Sequence, residues 1–265
     1  MTLPRVRAVA LLLAATLLAG CASVGTKGTA ARDIDPWESW NRKVFGFNEA
    51  LDKHLLVPVA TGYGKVVPQP VRTGVTNFFG NVADAWSAVN NFLQGKLGNG
   101  LQDVMRVGTN TVFGFAGLLD IATEAGLHAQ REDLGQTLGR WGFAPGPYVV
   151  WPVLGPSSVR ESFALPLDRY ATASSLFSDT PTQVGMLSLE LVNTRANLLG
   201  ASRMLDDIAL DKYSFVRGAY LQRRRSLVYD GDPPLEDYGD DDLPDDDDDP
   251  AAGPPAPAGA ASGAQ

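Results

Sequence analysis

The chain has 265 residues, of which 45% are hydrophobic, and a formal net charge of −8. A chain of this length holds one or two domains. Twelve of its 30 acidic residues lie from Asp230 onward, where no basic residue occurs. Outside that tail and a leader containing Arg5 and Arg7, 18 acidic and 20 basic residues remain. The body is therefore nearly neutral and not acidic, and we expect no nucleic-acid partner.

Residues 1–20 are typical of a lipoprotein signal peptide. A basic start precedes the apolar run Ala8–Ala19, which is too short to span a bilayer. The run ends in Leu-Ala-Gly-Cys, which resembles the bacterial lipobox, so Cys21 is the predicted lipidation site; the alternative is an idle thiol. Cys21 is the only cysteine, which excludes an internal disulfide. By analogy with lipoprotein sorting, Ala22 instead of Asp favours the outer membrane.

Residues 21–34 are predicted to be a lipidated linker, and residues 230–265 a disordered acidic tail rich in proline and alanine. The tail includes the run Asp245–Asp249 and has little apolar surface to bury. A calcium site is the alternative, but the run lacks the glycine turn and closing glutamate of a calcium loop.

The body, residues 35–229, has helical periodicity almost throughout and is predicted to be all-α. Asp35 before the first helix, Pro36 at its first position and Glu38 three residues after the cap form a capping-box pattern. One apolar stripe at helical spacing contains Trp37, Trp40, Val44, Phe47, Leu51 and Leu55. Phe45 lies off this stripe, so we expect it to contact something other than the core.

A connector rich in proline and glycine, residues 56–70, is predicted to follow. The second helix is predicted from about Pro70 to Leu93, and the third from about 101 to 119. Capping or periodic patterns predict later helices that start near Ser158, Thr180 and Met204. The last one ends in Arg223–Arg225, which complements the helix dipole or faces anionic headgroups.

Residues 143–158, FAPGPYVVWPVLGPSS, combine four prolines with bulky apolar side chains. Because proline removes a backbone donor, this run is predicted to be neither a helix nor a central strand. A rigid aromatic loop of this kind is expected either at the boundary between headgroups and acyl chains or as a buried connector packed beneath helices.

No mature stretch reaches the roughly 18 apolar residues of a spanning helix. Bulky apolar residues flanked by glycine and proline nevertheless indicate a body seated in the membrane interface. The sequence contains no G-x-S-x-G, no H-E-x-x-H, no P-loop and no cysteine cluster. His54 and His128 are interpreted as surface or helix-end residues. We therefore expect no enzyme activity, no cofactor and no metal site.

Five stretches, in order behind the lipobox, together resemble the VacJ/MlaA family of outer-membrane lipoproteins. They are residues 35–52, 67–82, 90–96, 134–161 and 217–225. The resemblance implies amphipathic helices that form a ring-like body embedded in the outer membrane of a Gram-negative bacterium, lipid-anchored from the periplasmic side. The acidic tail departs from the family pattern.

The resemblance also implies that misplaced phospholipids leave the outer leaflet through an amphipathic passage and pass to a periplasmic carrier protein, which maintains lipid asymmetry. Trimeric porins are implied partners. The alternative is a structural, porin-associated envelope lipoprotein without transport.

We hypothesise that six residues line the passage or contact the membrane: Phe45, Phe47, Asn48, Pro147, Tyr148 and Trp151. Core packing explains Phe47 well, so Phe45 is the better candidate for lipid contact.

Overall fold

The computed structural model describes residues 34–234, so the predicted signal peptide, Cys21 and the chain beyond Pro234 lie outside the described residues. The elements in chain order are α1 (Glu38–Leu51), a π-turn (Asp52–Leu56), α2 (Val57–Val66), α3 (Gln69–Leu93), α4 (Leu97–Val112), α5 (Ile121–Glu124), α6 (Leu134–Arg140), β1 (Tyr148–Trp151), β2 (Gly155–Ser158), α7 (Val159–Tyr170), a 3₁₀ turn (Ala173–Leu176), α8 (Thr180–Ile208) and α9 (Lys212–Val228). The all-α prediction is confirmed, apart from one short β-hairpin. No helix between residues 34 and 234 has both the length and the apolar content needed to cross a membrane.

The start of α1 differs from the predicted capping box. The helix begins at Glu38, and its N-cap residue, Trp37, makes no side-chain cap. Asp35 is buried instead, and its carboxylate accepts hydrogen bonds from the Tyr213 hydroxyl and, at 2.8 Å, from Arg217 on α9. Asp35 therefore ties the beginning of the described chain to its last helix.

The predicted connector at residues 56–70 is wrong, because most of it is helical. After α1 the chain widens into the π-turn and continues directly as α2, with Pro58 in the first turn of that helix. Proline has no N–H to donate to the preceding turn, and a π-turn directly before it is one way to accommodate that loss. Arg195 on α8 holds the π-turn in place through two hydrogen bonds to Asp52, at 2.6 and 2.8 Å.

Helices α3 and α4 form an antiparallel pair, since their side-chain contacts join residues in reverse order along the two helices. The predicted second helix is confirmed, but α4 ends at Val112, before the predicted end near Leu119. Phe115 and Ala116 have φ angles of 52° and 59°, a left-handed backbone that cannot continue a right-handed helix. The chain turns here, and the Gly117 amide donates to the Asn110 carbonyl at 2.9 Å.

Residues 148–158 form an antiparallel hairpin where a loop was predicted. Tyr148 lies opposite Ser158, and Val150 lies opposite Pro156. Proline is tolerated because the sheet has only two strands, so each strand has a free edge. The hairpin packs against α1, α7 and α9.

The later helices begin with side-chain caps. Ser158 accepts from the Glu161 amide at 3.4 Å, as predicted. Asp179, and not Thr180, caps α8, and that helix continues to Ile208. The prediction that the last helix starts near Met204 is wrong, because α9 begins at Lys212 behind its own cap, Asp211.

Candidate functional site

Helices α3 and α4 have a polar interior and an apolar exterior. Their buried polar side chains are Asn81, Asp84, Ser87, Asn90, Asn91, Asp103, Arg106 and Asn110. Their exposed large apolar side chains are Val71, Val89, Phe92, Leu93, Leu97, Leu101, Val104, Met105 and Val112. No charged residue of either helix is exposed. Water-soluble helices normally bury the apolar face and expose the polar one, so this pair is inverted.

An ion pair and its hydrogen bonds form the first half of the polar interior. Arg106 donates to Asp84 Oδ2 at 2.9 Å, and both side chains are almost completely buried. The same guanidinium contacts Asp120 at 3.3 Å and donates to the Leu127 carbonyl and, at 3.0 Å, to Thr123 Oγ1. A buried arginine of this kind is stable only because carboxylates and carbonyls surround its donors.

Asp103 is the centre of the second half. Its carboxylate accepts from Ser87 Oγ at 2.7 Å, from Asn91 Nδ2 at 3.0 Å and from the Gln130 amide at 3.2 Å. Burial raises the pKa of the Asp103 carboxyl, although hydrogen bonds from Ser87, Gln130 and Asn91 act in the opposite direction. These contacts join α3 to α4 and to the segment before α6.

The exposed stripe on α4 consists of Leu97, Leu101, Val104, Met105 and Val112. At 100° per residue these positions lie on the side of the helix opposite Asp103, Arg106 and Asn110. The stripe continues into the following turn, where Phe113 and Phe115 are both more than two-thirds exposed. The pair therefore presents a largely apolar surface with no exposed charged residue.

The structure places the six predicted site residues on α1 and on the hairpin that packs against it. Asn48 donates to the Trp151 carbonyl at 2.9 Å and accepts from the Val153 amide at 2.7 Å. Through these two hydrogen bonds the Asn48 side chain binds the backbone at the end of β1, as a neighbouring strand would. The Pro147 carbonyl accepts from the Val159 amide at 3.1 Å, at the base of the hairpin.

The aromatic members of the set lie in two environments. Tyr148 is fully buried and joins a small core with Val44, Val150 and Tyr213, so the hypothesis of a buried connector describes this part of the hairpin. Trp151 is 41% exposed and donates from its indole nitrogen to Ser162 at 2.8 Å.

The expected burial of Phe45 and Phe47 is reversed. Phe45 is partly buried and packs edge-on against Tyr213, with ring centroids 5.6 Å apart. Phe47 is 54% exposed, and its stripe neighbours Trp37 and Trp40 are exposed to a similar degree. The reason is that the hairpin and α9 cover the other side of α1, which the periodicity of α1 alone could not specify.

Sequence reasoning missed Asn41. It is fully buried, donates to Asp35 at 2.8 Å and to the Tyr148 carbonyl at 3.1 Å, and accepts from the Val150 amide at 2.8 Å. It therefore clamps the same strand as Asn48, two turns earlier on α1. The missed signal was polar periodicity: Asn41 and Asn48 are seven residues apart, which places them on one helical face.

The basic end of α9 is directed inward at one position. Arg224 donates to Asp133 Oδ2 at 2.6 Å and contacts Glu161, which joins α9 to α6 and α7. Burial opposes ionisation of Asp133, but the bonds from Arg224 outweigh it and lower the pKa of that carboxyl. Arg224 is thus occupied by protein carboxylates, whereas Arg223 is exposed.

The fold and the inverted polarity define a class of protein: a helical body whose polar side chains face one another while a large apolar surface faces outward. A family model described as MlaA lipoprotein matches residues 33–227. The chain belongs to this family.

The relatives agree with that assignment. The chain is 37% identical over 232 residues to the "Intermembrane phospholipid transport system lipoprotein MlaA" of Escherichia coli strain K12, covering 86% of this chain and 91% of the relative. A protein of the same description from Haemophilus influenzae is 30% identical over 225 residues, covering 83% and 89%.

One solved structure, from work described as "Structural basis for maintenance of bacterial outer membrane lipid asymmetry", is also similar. It aligns with a TM-score of 0.62 at 34% identity, covering 73% of this chain and 98% of that chain.

Proposed function

We propose that this protein is an outer-membrane lipoprotein that removes mislocalised phospholipids from the outer leaflet through an amphipathic passage and delivers them to a periplasmic carrier. The transfer needs no chemistry, and trimeric porins hold the body in place. The observation that carries the proposal is the inverted polarity of α3 and α4, supported by relatives named for intermembrane phospholipid transport.

The energetics of a phospholipid explain why such a surface is useful. Each acyl CH₂ favours an apolar environment over water by about 0.8 kcal/mol, so two ordinary chains resist extraction by on the order of 20 kcal/mol. A path for such a molecule must shelter its tails throughout and also accept a polar headgroup. The apolar exterior of α3 and α4 provides the surface for the tails, and the walls of the proposed passage provide the polar surface for the headgroup.

The lipid anchor would keep the body at the membrane. In the proposed domain organisation, residues 1–20 are removed, Cys21 carries the lipid, residues 35–229 form the body and residues 230–265 form a tail. Between Cys21 and Asp35 lie 13 residues. Even fully extended, a linker of this length reaches only about 50 Å.

Within the predicted site, Phe47 and Trp151 are the proposed lipid contacts, because each exposes a large part of its ring. Asn48, Pro147 and Tyr148 are proposed to hold the hairpin against α1, which fixes the position of Trp151 at the end of β1. Phe45 supports the same junction from within the protein, since its ring packs on Tyr213.

Charge placed on the apolar stripe of α4 tests membrane seating. A charged side chain at the centre of a lipid-facing helix costs about 2.5–3.5 kcal/mol, so Leu101→Arg should weaken partitioning into phospholipid vesicles by roughly two orders of magnitude. Gln222→Arg adds the same charge to an exposed polar position of α9 and is the matched control. Equal vesicle flotation of the two variants would contradict membrane seating by α4.

Transport itself is tested in cells that lack the protein. Outer-leaflet phospholipid should accumulate, and the wild-type chain should reverse this while Cys21→Ala and Leu101→Arg should not. A structural, porin-associated lipoprotein without transport predicts no accumulation in any of these strains, provided that porin levels are unchanged.

A further inference from the structure

Asp103 on α4 is a buried carboxyl group without a cationic partner. Its side chain is fully buried, and no lysine, arginine or histidine forms an ion pair with it among residues 34–234. The guanidinium of Arg106, one turn further along α4, is bound by Asp84 and Asp120. Because an ionised carboxylate is costly to bury without a cation, this position favours the form of Asp103 that carries a proton.

The charges around Asp103 act in the same direction. Burial is the main reason that the pKa of the Asp103 carboxyl is raised, and the Asp84 carboxylate on α3 raises it further. The charged or titratable side chains just before α4 and in the segment between α5 and α6, residues 125–133, are Lys96, His128, Arg131, Glu132 and Asp133. None of them forms an ion pair or a side-chain hydrogen bond with Asp103, since Lys96 pairs with Glu132 and the Arg131 guanidinium lies beside Gly80 of α3.

The Ser87 hydroxyl on α3 has one hydrogen atom but two acceptors within reach. Its oxygen lies 2.7 Å from Asp103 Oδ2 and also contacts the Gln130 carbonyl oxygen. The same oxygen accepts a hydrogen bond from the Glu132 amide at 2.9 Å. With an ionised Asp103, the single hydrogen serves only one acceptor, and the other faces the lone pairs of the Ser87 oxygen. A hydrogen on Asp103 Oδ2 removes this conflict, because Asp103 then donates to Ser87 and Ser87 donates to Gln130.

The other contacts of the carboxyl group fit the same form. Asp103 Oδ1 accepts from the Gln130 amide at 3.2 Å, as the carbonyl oxygen of a carboxylic acid does. The Asn91 amide group donates to Oδ2 at 3.0 Å, and the hydroxyl oxygen of an acid can still accept that bond. Every hydrogen bond to Asp103 is therefore compatible with a neutral acid.

We propose that Asp103 is a protonated carboxylic acid in the folded protein at neutral pH, and that it donates to Ser87 and thereby locks segment 125–133 onto the α3–α4 pair. The lock joins Ser87 on α3, Asp103 on α4 and the backbone of Gln130 and Glu132. Loss of the proton places a second carboxylate beside Asp84 and breaks the relay, so the lock weakens as the pH rises. This inference does not depend on the proposed transport function.

Infrared difference spectroscopy of the mature, detergent-solubilised lipoprotein tests for the proton directly. The C=O stretch of a protonated acid should be present in the wild type at pH 7 and lost in Asp103→Asn, which keeps a neutral side chain of the same shape. Asp120→Asn is the matched control: burial raises the pKa of Asp120, but hydrogen bonds from Thr123 outweigh burial and lower it, so the band should remain. Identical spectra of the wild type and Asp103→Asn would overturn the proposal.

The pH dependence of unfolding gives an independent test. A carboxyl whose pKa is raised in the folded protein contributes stability below its ordinary pKa, and this stability is lost as the pH rises through the folded pKa. One extra proton is then released on unfolding, so the unfolding equilibrium constant of the wild type, divided by that of Asp103→Asn, should rise about tenfold per pH unit between about pH 5 and 7. Other buried carboxyls occur in both proteins and cancel in this ratio. A constant ratio would contradict a protonated Asp103.

Ser87→Ala provides the test if Asp103→Asn does not fold. The substitution removes the acceptor of the proposed O–H group, so the C=O band of the acid should shift to higher frequency. Ser188→Ala removes an exposed serine on α8 and should leave the band in place. A band that is absent in the wild type, or that does not move in Ser87→Ala, would refute the lock.

Discussion

Replacing Arg106 by alanine is the sharpest test of the polar interior. The substitution removes the only cation that contacts Asp84 among residues 34–234, and Asp84 is almost completely buried. It also removes the donors that satisfy the Leu127 carbonyl and Thr123. The variant would therefore bury an uncompensated carboxylate between two helices.

The size of the effect follows from that burial. Breaking a buried ion pair by removing one partner costs about 3–5 kcal/mol, because the remaining charge stays out of water. In a domain of about 200 residues, each kcal/mol lowers the melting temperature by about 2–4 °C. We therefore expect Arg106→Ala to lower the melting temperature of the helical circular dichroism signal, measured in a mild detergent, by roughly 6–20 °C.

Two further variants make the experiment decisive. Arg203→Ala removes an exposed arginine on α8 and should change the free energy of unfolding by less than about 0.5 kcal/mol. Replacing the pair together, Asp84→Leu with Arg106→Met, should be less destabilising than Arg106→Ala alone, because no isolated charge remains. A loss below about 1 kcal/mol for Arg106→Ala would refute the view that this ion pair holds α3 and α4 together.

Three other predictions concern particular contacts. Asn41→Leu should lower the free energy of unfolding by about 2–3 kcal/mol in denaturant unfolding, since it leaves two buried backbone groups of β1 unpaired. Asn48 is more accessible, so Asn48→Ala should lower it by less. Equal losses of stability in the two variants would contradict this reasoning. Asp35 has a lowered pKa because, although burial raises it, hydrogen bonds from a tyrosine hydroxyl, an arginine and an asparagine outweigh that effect. The ionised form of Asp35 therefore adds stability above the ordinary carboxyl pKa, and this stability is lost as the pH falls through the pKa in the folded protein. Asp35→Asn should flatten the acid side of a profile of melting temperature against pH, between about pH 2 and 6. An unchanged slope would refute the assignment. Gly135→Ala should destabilise the protein by more than about 1 kcal/mol, because the added Cβ would lie 1.6 Å from a glutamate oxygen. In Gly108→Ala the added Cβ meets nothing within 4 Å, so this variant should be neutral or more stable by up to about 1 kcal/mol. Chemical denaturation of both variants measures the sign of each change in the free energy of unfolding.

The sequence by itself determined the helical class, the ends of several helices and the family resemblance. Periodicity is a local property, so the span of α3 could be predicted almost to the residue. The cap at Ser158 was equally local, because a serine side chain and an amide three residues later form it. The lipobox predicted around Cys21 is also a sequence signal, and its prediction needs no fold.

Tertiary structure decided which face of each helix is inside. Amphipathic periodicity shows that a helix has two faces but does not reveal whether water, lipid or another helix covers the apolar one. In α1 the hairpin covers the side that carries Asn41, α9 covers Phe45, and Phe47 is left exposed. In the α3–α4 pair, polar side chains take the inner face because several of them find a partner on the opposite helix, as Ser87 does in Asp103 and Asp84 in Arg106. Only the antiparallel packing brings these positions together.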